Sequence, residues 1–311
     1  MTALHPSPPW LLFFDDERTS AERLASASGL EARLIVRHHF PDGELKLTLP
    51  VDAQGQLPQR VVLLRGLHQP NDKLVELLLA AHTARRLGVQ HLTLVAPYLA
   101  YMRQDIAFHP GEAISQRVVG DFLAGLFDAI ITVDPHLHRV ATLHEAVPAA
   151  QTVLLSGAPL LADWIVQQRP GALLMGPDGE SAQWVAQAAA RHGLDYAVCT
   201  KERHGDRQVS IVLPPVPVQG RAVVLLDDMA STGHTLIQAT ALLRAAGATS
   251  VDVAVTHALL DANALQALHD AGIGQFWSTD AVPHSSNAVA LAPALADALQ
   301  TLPPLPVAAT I

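Results

Sequence analysis

The densest chemistry in the chain lies in Asp227, Asp228, Ser231, Thr232, Gly233, His234 and Thr235. Two carboxylates close the apolar run from Val223 to Leu226, and three hydroxyl side chains flank a glycine. After Thr235 the apolar residues take a helical spacing that stops at Gly247. The pattern predicts a buried parallel strand, a tight loop and a helix. Such a loop suits a phosphate, because the first turn of a helix leaves backbone N–H groups that attract an anion. Ser231, Thr232 and Thr235 add hydroxyl donors, and Gly233 lets the backbone come close. Asp227 and Asp228 could accept from sugar hydroxyls or hold Mg²⁺. The chain has no G-x-x-x-x-G-K-[ST] loop. A capped helix behind a solvated acidic pair would use the same residues, so the loop alone leaves both uses open.

Other polar groups sit at the ends of apolar runs. Past the run at 92–96 come Arg103, Gln104 and Asp105. The arginine suits phosphate oxygens and the other two suit base or sugar groups, although a capped loop with an Arg–Asp pair needs no ligand. Past the run at 129–133, His136 follows Asp134 by two residues, a fair candidate for metal or phosphate. Phe40, Asp42, Gly43 and Glu44 form a turn whose ring could stack on a purine, and Asp-Gly equally marks a surface hairpin. Lys201 and Arg203 fall in a polar flap before a strand at 209–213. It is either a solvated loop or a lid whose cations close over phosphates.

Elements must hold these groups at strand ends. Strands are predicted at 10–14, 33–36, 61–64, 92–96, 129–133, 172–175, 196–200, 209–213, 223–226, 250–256 and 275–278. Helices are expected between them, among them one opening at Pro70-Asn71-Asp72 with Leu74, Leu77, Leu78 and Ala81 on one face, and a last one over 287–299. Strand, polar turn and helix recur in both halves. The expected fold is α/β: two doubly wound parallel-sheet domains, 1–150 and 151–290, then a C-terminal helix and tail, 291–311.

Composition agrees. Of 311 residues, 50% are hydrophobic and 5% aromatic, as an aliphatic parallel sheet requires. A net charge of −9 argues against a nucleic-acid or membrane-surface role. There are only three lysines: Lys46, Lys73 and Lys201. The single cysteine, Cys199, permits no intrachain disulfide and reads as a small core residue. The sixteen histidines form no zinc signature. With no long apolar run and no leader pattern, the chain reads as soluble and cytoplasmic.

These segments, in this order, resemble the ribose-phosphate diphosphokinases (PRPP synthases) along nearly the whole chain. They are Phe40-Pro41-Asp42-Gly43-Glu44, the Arg103-Gln104-Asp105 loop, Asp134-x-His136, Pro177-Asp178-Gly179, Lys201-x-Arg203 and the loop from Asp227 to Thr235. Phosphoribosyltransferases resemble the chain only in the last. Ser231 and the Pro110-Gly111-Glu112 segment look closer to archaeal-type members. The resemblance implies domains of the type I phosphoribosyltransferase kind. It implies transfer of the diphosphoryl group of Mg-ATP to C1 of ribose 5-phosphate, in a homo-oligomer of at least two chains. Phe40, Asp42, Gly43 and Glu44 would bind adenine from a neighbouring subunit, and Arg103, Gln104, Asp105 and His136 would bind ATP. His136 and Asp178 would hold Mg²⁺, and Lys201 and Arg203 would be the catalytic cations. Arg203, Asp227, Asp228 and Ser231, Thr232, Gly233, His234 and Thr235 would bind ribose 5-phosphate. Two alternatives are a phosphoribosyltransferase, which needs no motifs at Asp42 and Arg103, and a silent regulatory paralogue, which would be expected to lose the lid cations or Asp178.

Overall fold

The structure, a computed structural model, describes residues 8–204 and 208–302, with the backbone alone at 203, 204, 208 and 209. The chain divides into two compact units, one ending at Leu155 and resuming at Ala292, the other running from Ser156 to Leu291. The C-terminal helix therefore belongs to the first unit.

Unit one contains β1 (Trp10–Phe14), α1 (Arg18–Ser28), β2 (Glu31–His39), β3 (Leu45–Thr48), β4 (Arg60–Leu64), α2 (Pro70–Arg86), β5 (His91–Ala96), α3 (Ser115–Leu126), β6 (Ala129–Val133), α4 (Leu143–Ala146) and β7 (Gln151–Leu155). Unit two contains α5 (Ala158–Gln168), β8 (Leu173–Gly176), α6 (Ala182–His192), β9 (Tyr196–Val198), β10 (Thr200–His204), β11 (Gln208–Val212), β12 (Ala222–Ala230), α7 (His234–Ala245), β13 (Ser250–Ala258), α8 (Ala262–Asp270), β14 (Phe276–Thr279) and β15 (Asn287–Val289). Then α9 (Ala292–Thr301) returns to unit one and packs on α1. None of the described helices is long and apolar enough to cross a membrane.

Both sheets are α/β and doubly wound. The first has strand order β3-β2-β1-β4-β5-β6-β7, the second β15-β14-β13-β12-β8-β9. All pairings within them are parallel except β2 with β3. A buried parallel sheet needs apolar residues on both faces, and β12 shows how the sequence supplies them. Val223 and Leu225 join the cluster under α7 and α8, whereas Val224 and Leu226 join the one under α5 and α6. The strand order reverses between β1 and β4 in unit one and between β8 and β12 in unit two. Such reversals open a crevice at the strands' C-terminal ends, where ligands of this fold class bind.

Several boundaries differ from expectation. β12 runs on to Ala230, so Asp227 and Asp228 lie within the strand, with Asp227 opposite Val255 and Met229 opposite His257 of β13. The segment 287–299 is not one helix: Asn287 Nδ2 donates to Ser278 Oγ (2.9 Å) and Thr279 O (2.6 Å), which fixes β15, and α9 starts at Ala292. Strand β7 forms where no strand is predicted. α2 is preceded by Gln69 in a left-handed conformation, with no side-chain cap from Asn71 or Asp72. Its buried face carries Lys73 and Glu76 beside Leu77, Ala80, Ala81 and Ala84, while Leu78 is exposed.

Those two charges belong to a cluster that fills the switch point of unit one. Arg65, 1% exposed, follows β4 and donates through Nη1 to both oxygens of Asp16 at 2.8 Å. Its Nη2 pairs with Glu76. Arg37 Nη1 donates to Glu76 at 2.7 Å. Glu17 Oε1 accepts from Gly66 N at 2.7 Å, and Lys73 Nζ donates to Gly66 O at 2.8 Å. Buried charges persist when paired and hydrogen-bonded in this way.

Candidate active site

The switch point of unit two is built differently. From β8 the chain turns at Gly176-Pro177-Asp178, and Asp178, only 6% exposed, caps the short turn Gly179–Ser181. Its Oδ1 accepts from Glu180 N at 3.0 Å, and Ser181 Oγ donates to Asp178 O at 2.6 Å. A Cβ on Gly176 would lie 2.3 Å from Ser181 Oγ, so a larger residue would drive that hydroxyl from its bond to Asp178 O. The second carboxylate oxygen of Asp178 faces Lys201 Nζ at 2.5 Å. Lys201 stands on the antiparallel hairpin of β10 and β11, opposite Ile211. The structure thus joins two residues singled out separately in the sequence. The Arg203 side chain and the hairpin tip, 205–207, lie outside the described residues.

Asp227 and Asp228 stand on the neighbouring strand, with Asp228 N donating to Asp227 Oδ1 at 3.0 Å. Burial, reinforced by Asp228 and Asp178, holds the Asp227 carboxyl well above its usual range. Carboxylates so crowded favour a proton, a cation or hydroxyl donors. Beyond them Gly233 takes φ 74° and precedes the first residue of α7, His234. The loop encloses a cavity of about 100 Å³ lined by Asp227, Ser231, Thr232, Gly233, His234 and Thr235. One water needs about 10–15 Å³ on this scale, so a phosphate group fits. The first turn of α7 carries no acidic residue to compete for its N–H groups. Cys199 is no nucleophile here: its thiol, buried and close to Asp178, is pushed up to about 11.

In unit one, Arg103, Gln104 and Asp105 follow β5 and His136 follows β6, its hydrogen-bonded neighbour. The loops are tied together by Arg139, whose Nη1 donates to Asp105 Oδ1 at 2.5 Å. With its side chain 3% exposed, Asp105 is engaged by this pair. Gln104 Nε2 donates to Ile106 O at 3.1 Å, which leaves Arg103 as the exposed member of the trio. Arg139 escaped the sequence reading because nothing local marks it; its partner lies 34 residues back. His138 also went unnoticed, although Asp134-x-His136-x-His138 could have shown it.

Phe40, Asp42, Gly43 and Glu44 form the tight connection between β2 and β3. Phe40 N donates to Glu44 O (2.8 Å), Gly43 N to Phe40 O (2.9 Å) and Glu44 N to Asp42 Oδ1 (3.1 Å). Gly43 at φ 91° makes the turn possible. Phe40 is 40% exposed and rests edge-on against His38. β1 and β4 separate this edge hairpin from β5, so it lies three strand spacings, about 14 Å, from the Arg103 loop.

Comparison with known proteins gives the same division of the chain. A profile described as the N-terminal domain of ribose phosphate pyrophosphokinase matches residues 11–126, and a phosphoribosyl transferase domain matches residues 157–279. A ribose-phosphate pyrophosphokinase of Methanopyrus kandleri is 34% identical over 283 residues, covering 90% of this chain and 94% of its own. One of Methanosarcina acetivorans is 32% identical over 285 residues, covering 91% and 96%. The crystal structure of the phosphoribosylpyrophosphate synthetase of Mycobacterium smegmatis has the same fold, with TM-score 0.80, 23% identity and coverage of 94% of this chain and 98% of that one. With both of its domains matched and archaeal relatives aligned along almost their full length, the chain belongs to the ribose-phosphate pyrophosphokinase family.

Proposed function

We propose that the protein transfers the diphosphoryl group of Mg-ATP to C1 of ribose 5-phosphate, giving PRPP and AMP. The observation that carries this reading is the pairing, in one chain, of a phosphate-cradling loop in unit two with the pyrophosphokinase N-terminal domain in unit one. A phosphoribosyltransferase needs the first and has no use for the second.

Ribose 5-phosphate would sit in the loop of Ser231, Thr232, Gly233, His234 and Thr235, its phosphate on the N-terminus of α7. Asp227 and Asp228 would accept from the sugar hydroxyls. Arg103, Gln104, Asp105 and His136 would serve ATP, with Asp105 acting through Arg139 to fix the loop. Phe40, Asp42, Gly43 and Glu44 would hold adenine in a neighbouring subunit's site, which requires at least a dimer. The distance across the sheet between this hairpin and Arg103 supports such an exchange.

The donor set fits a hard cation. Asp178 turns a carboxylate oxygen to the Lys201 ammonium, and Asp227 and Asp228 lie on the adjacent strand. His136 and Asp178 are the candidate Mg²⁺ ligands. When bound, the ion would supply charge neutralisation for the phosphates. In the reaction, the 1-hydroxyl oxygen bonds to the β-phosphorus, the bond from that phosphorus to the AMP oxygen breaks, and the hydroxyl proton is lost. Lys201 and Arg203 would meet the charge developing on the transferring group. Lys201 would leave Asp178 to do so, so the ion pair is the resting position of the lid cation.

The test is direct. Purified protein, Mg-ATP and ribose 5-phosphate are mixed, with and without inorganic phosphate, and AMP and PRPP are followed by chromatography. Equal amounts of both products are expected. ATP binding without AMP formation would overturn the reading in favour of a regulatory paralogue.

A further inference from the structure

The loop after β6 carries a second imidazole that this function does not use. His136 and His138 meet edge to face, ring centroids 3.9 Å apart, with their Nε2 atoms in close contact. His136 is half-buried and His138 exposed. The loop begins at buried Asp134, whose φ of 36° is rare for a non-glycine residue and is imposed by its surroundings. In this loop two imidazole nitrogens point at one spot.

Two neutral imidazoles facing through Nε2 are both satisfied only when one carries its proton there. A cation between them engages both lone pairs at once. On a tetrahedral zinc, with Zn–N of 2.0–2.1 Å, two such nitrogens stand about 3.3 Å apart. A small rotation of either ring reaches that spacing. Imidazole nitrogen suits zinc, cobalt and nickel, whereas magnesium prefers oxygen and keeps its waters.

We propose that His136 and His138 form a two-imidazole site that selects a transition cation of the Zn²⁺ or Co²⁺ class over Mg²⁺. The inference rests on the placement of a metal at His136 and adds His138 as a ligand and a change of preference. In the absence of nucleotide the loop would take the transition metal even in excess Mg²⁺.

The experiment titrates CoCl₂ into the full, nucleotide-free chain in excess Mg²⁺, by calorimetry and by the visible ligand-field absorption of bound cobalt. One strong site is expected. Its affinity falls tenfold or more in His136→Ala and in His138→Ala, and is unchanged in His109→Ala, an exposed histidine elsewhere in the unit. His138 is exposed, so its variant folds and decides the matter alone if His136→Ala does not. Wild-type cobalt affinity in His138→Ala, or no cobalt binding while Mg²⁺ is in excess, would overturn the proposal. No substrate is present, so this outcome is independent of whether AMP is formed.

Discussion

Two crevices of the same topological origin have opposite fates in this molecule. In unit one the switch point between β1 and β4 receives Asp15, Asp16 and Glu17 from one strand end and Arg65 from the other, with Arg37, Lys73 and Glu76 behind them. Four carboxylates meet three cations, a near balance, and the crevice becomes core. In unit two the switch point between β8 and β12 receives Asp178, Asp227 and Asp228, with Lys201 on a hairpin paired to Asp178. Among the described side chains there, the carboxylates outnumber the cations three to one. The comparison teaches that the fold supplies the crevice, and the charge balance of two loops decides whether it becomes structure or a site.

Substitutions should separate the two regions cleanly. The largest effect is expected from Arg65→Ala, which takes the guanidinium from buried Glu17 and leaves Glu76 to Arg37 alone. Breaking a buried pair this way costs about 3–5 kcal/mol. Denaturant unfolding should show that loss, and wild-type stability would mean that the cluster is not holding unit one together. Lys201→Ala should do the converse. Its stability should match wild type, while turnover should fall by about 10²–10³, the usual effect of losing one donor to a developing charge. Activity near wild type would remove Lys201 from the chemistry.

Gly233→Ala should act more modestly. Its Cβ would meet Leu268 at 3.5 Å and Ala264 O at 4.0 Å, so space is available, but φ 74° is strained for any side chain. That costs about 1–2 kcal/mol, worth about tenfold in ribose 5-phosphate affinity. Calorimetric titration would test this, and unchanged affinity would move the phosphate elsewhere.

The smallest effect is one of pH. Burial, with Lys73 and Arg65 close by, pushes His68 from 6.5 down to about 4. Below pH 6.5 the unfolded chain therefore takes a proton that the folded chain refuses. Stability contributed by neutral His68 is complete above about 6.5 and is lost as pH falls towards 4. His68→Gln should flatten that limb of a plot of Tm against pH. An unaltered acid limb would show that the unit-one cluster tolerates a charged imidazole.

The sequence reveals the second crevice better than the first, for a physical reason. A phosphate loop is local: Asp227 to Thr235 carries its donors, acceptors and glycine in nine consecutive residues, and the unbroken apolar run from Val223 to Leu226 marks the strand before it. The plug in unit one is made by partners 48 and 49 residues apart, Arg65 with Glu17 and with Asp16. Read alone, Glu17 looks like the start of a helix and Glu76 like a solvent-facing helical residue. Their burial follows only from the position of Arg65. The end of β12 differs for a related reason, since Asp227 and Asp228 look like loop residues yet lie within a strand that runs on to Ala230. Asn287 likewise reads as a helix start until Ser278 and Thr279 capture its amide.

Hydrogen–deuterium exchange of the full chain, with and without ribose 5-phosphate, tests the contrast most directly. The account predicts new protection over 231–235 and none over 15–17 or 65–68. Protection at the unit-one switch point, with the 231–235 loop unchanged, would contradict it.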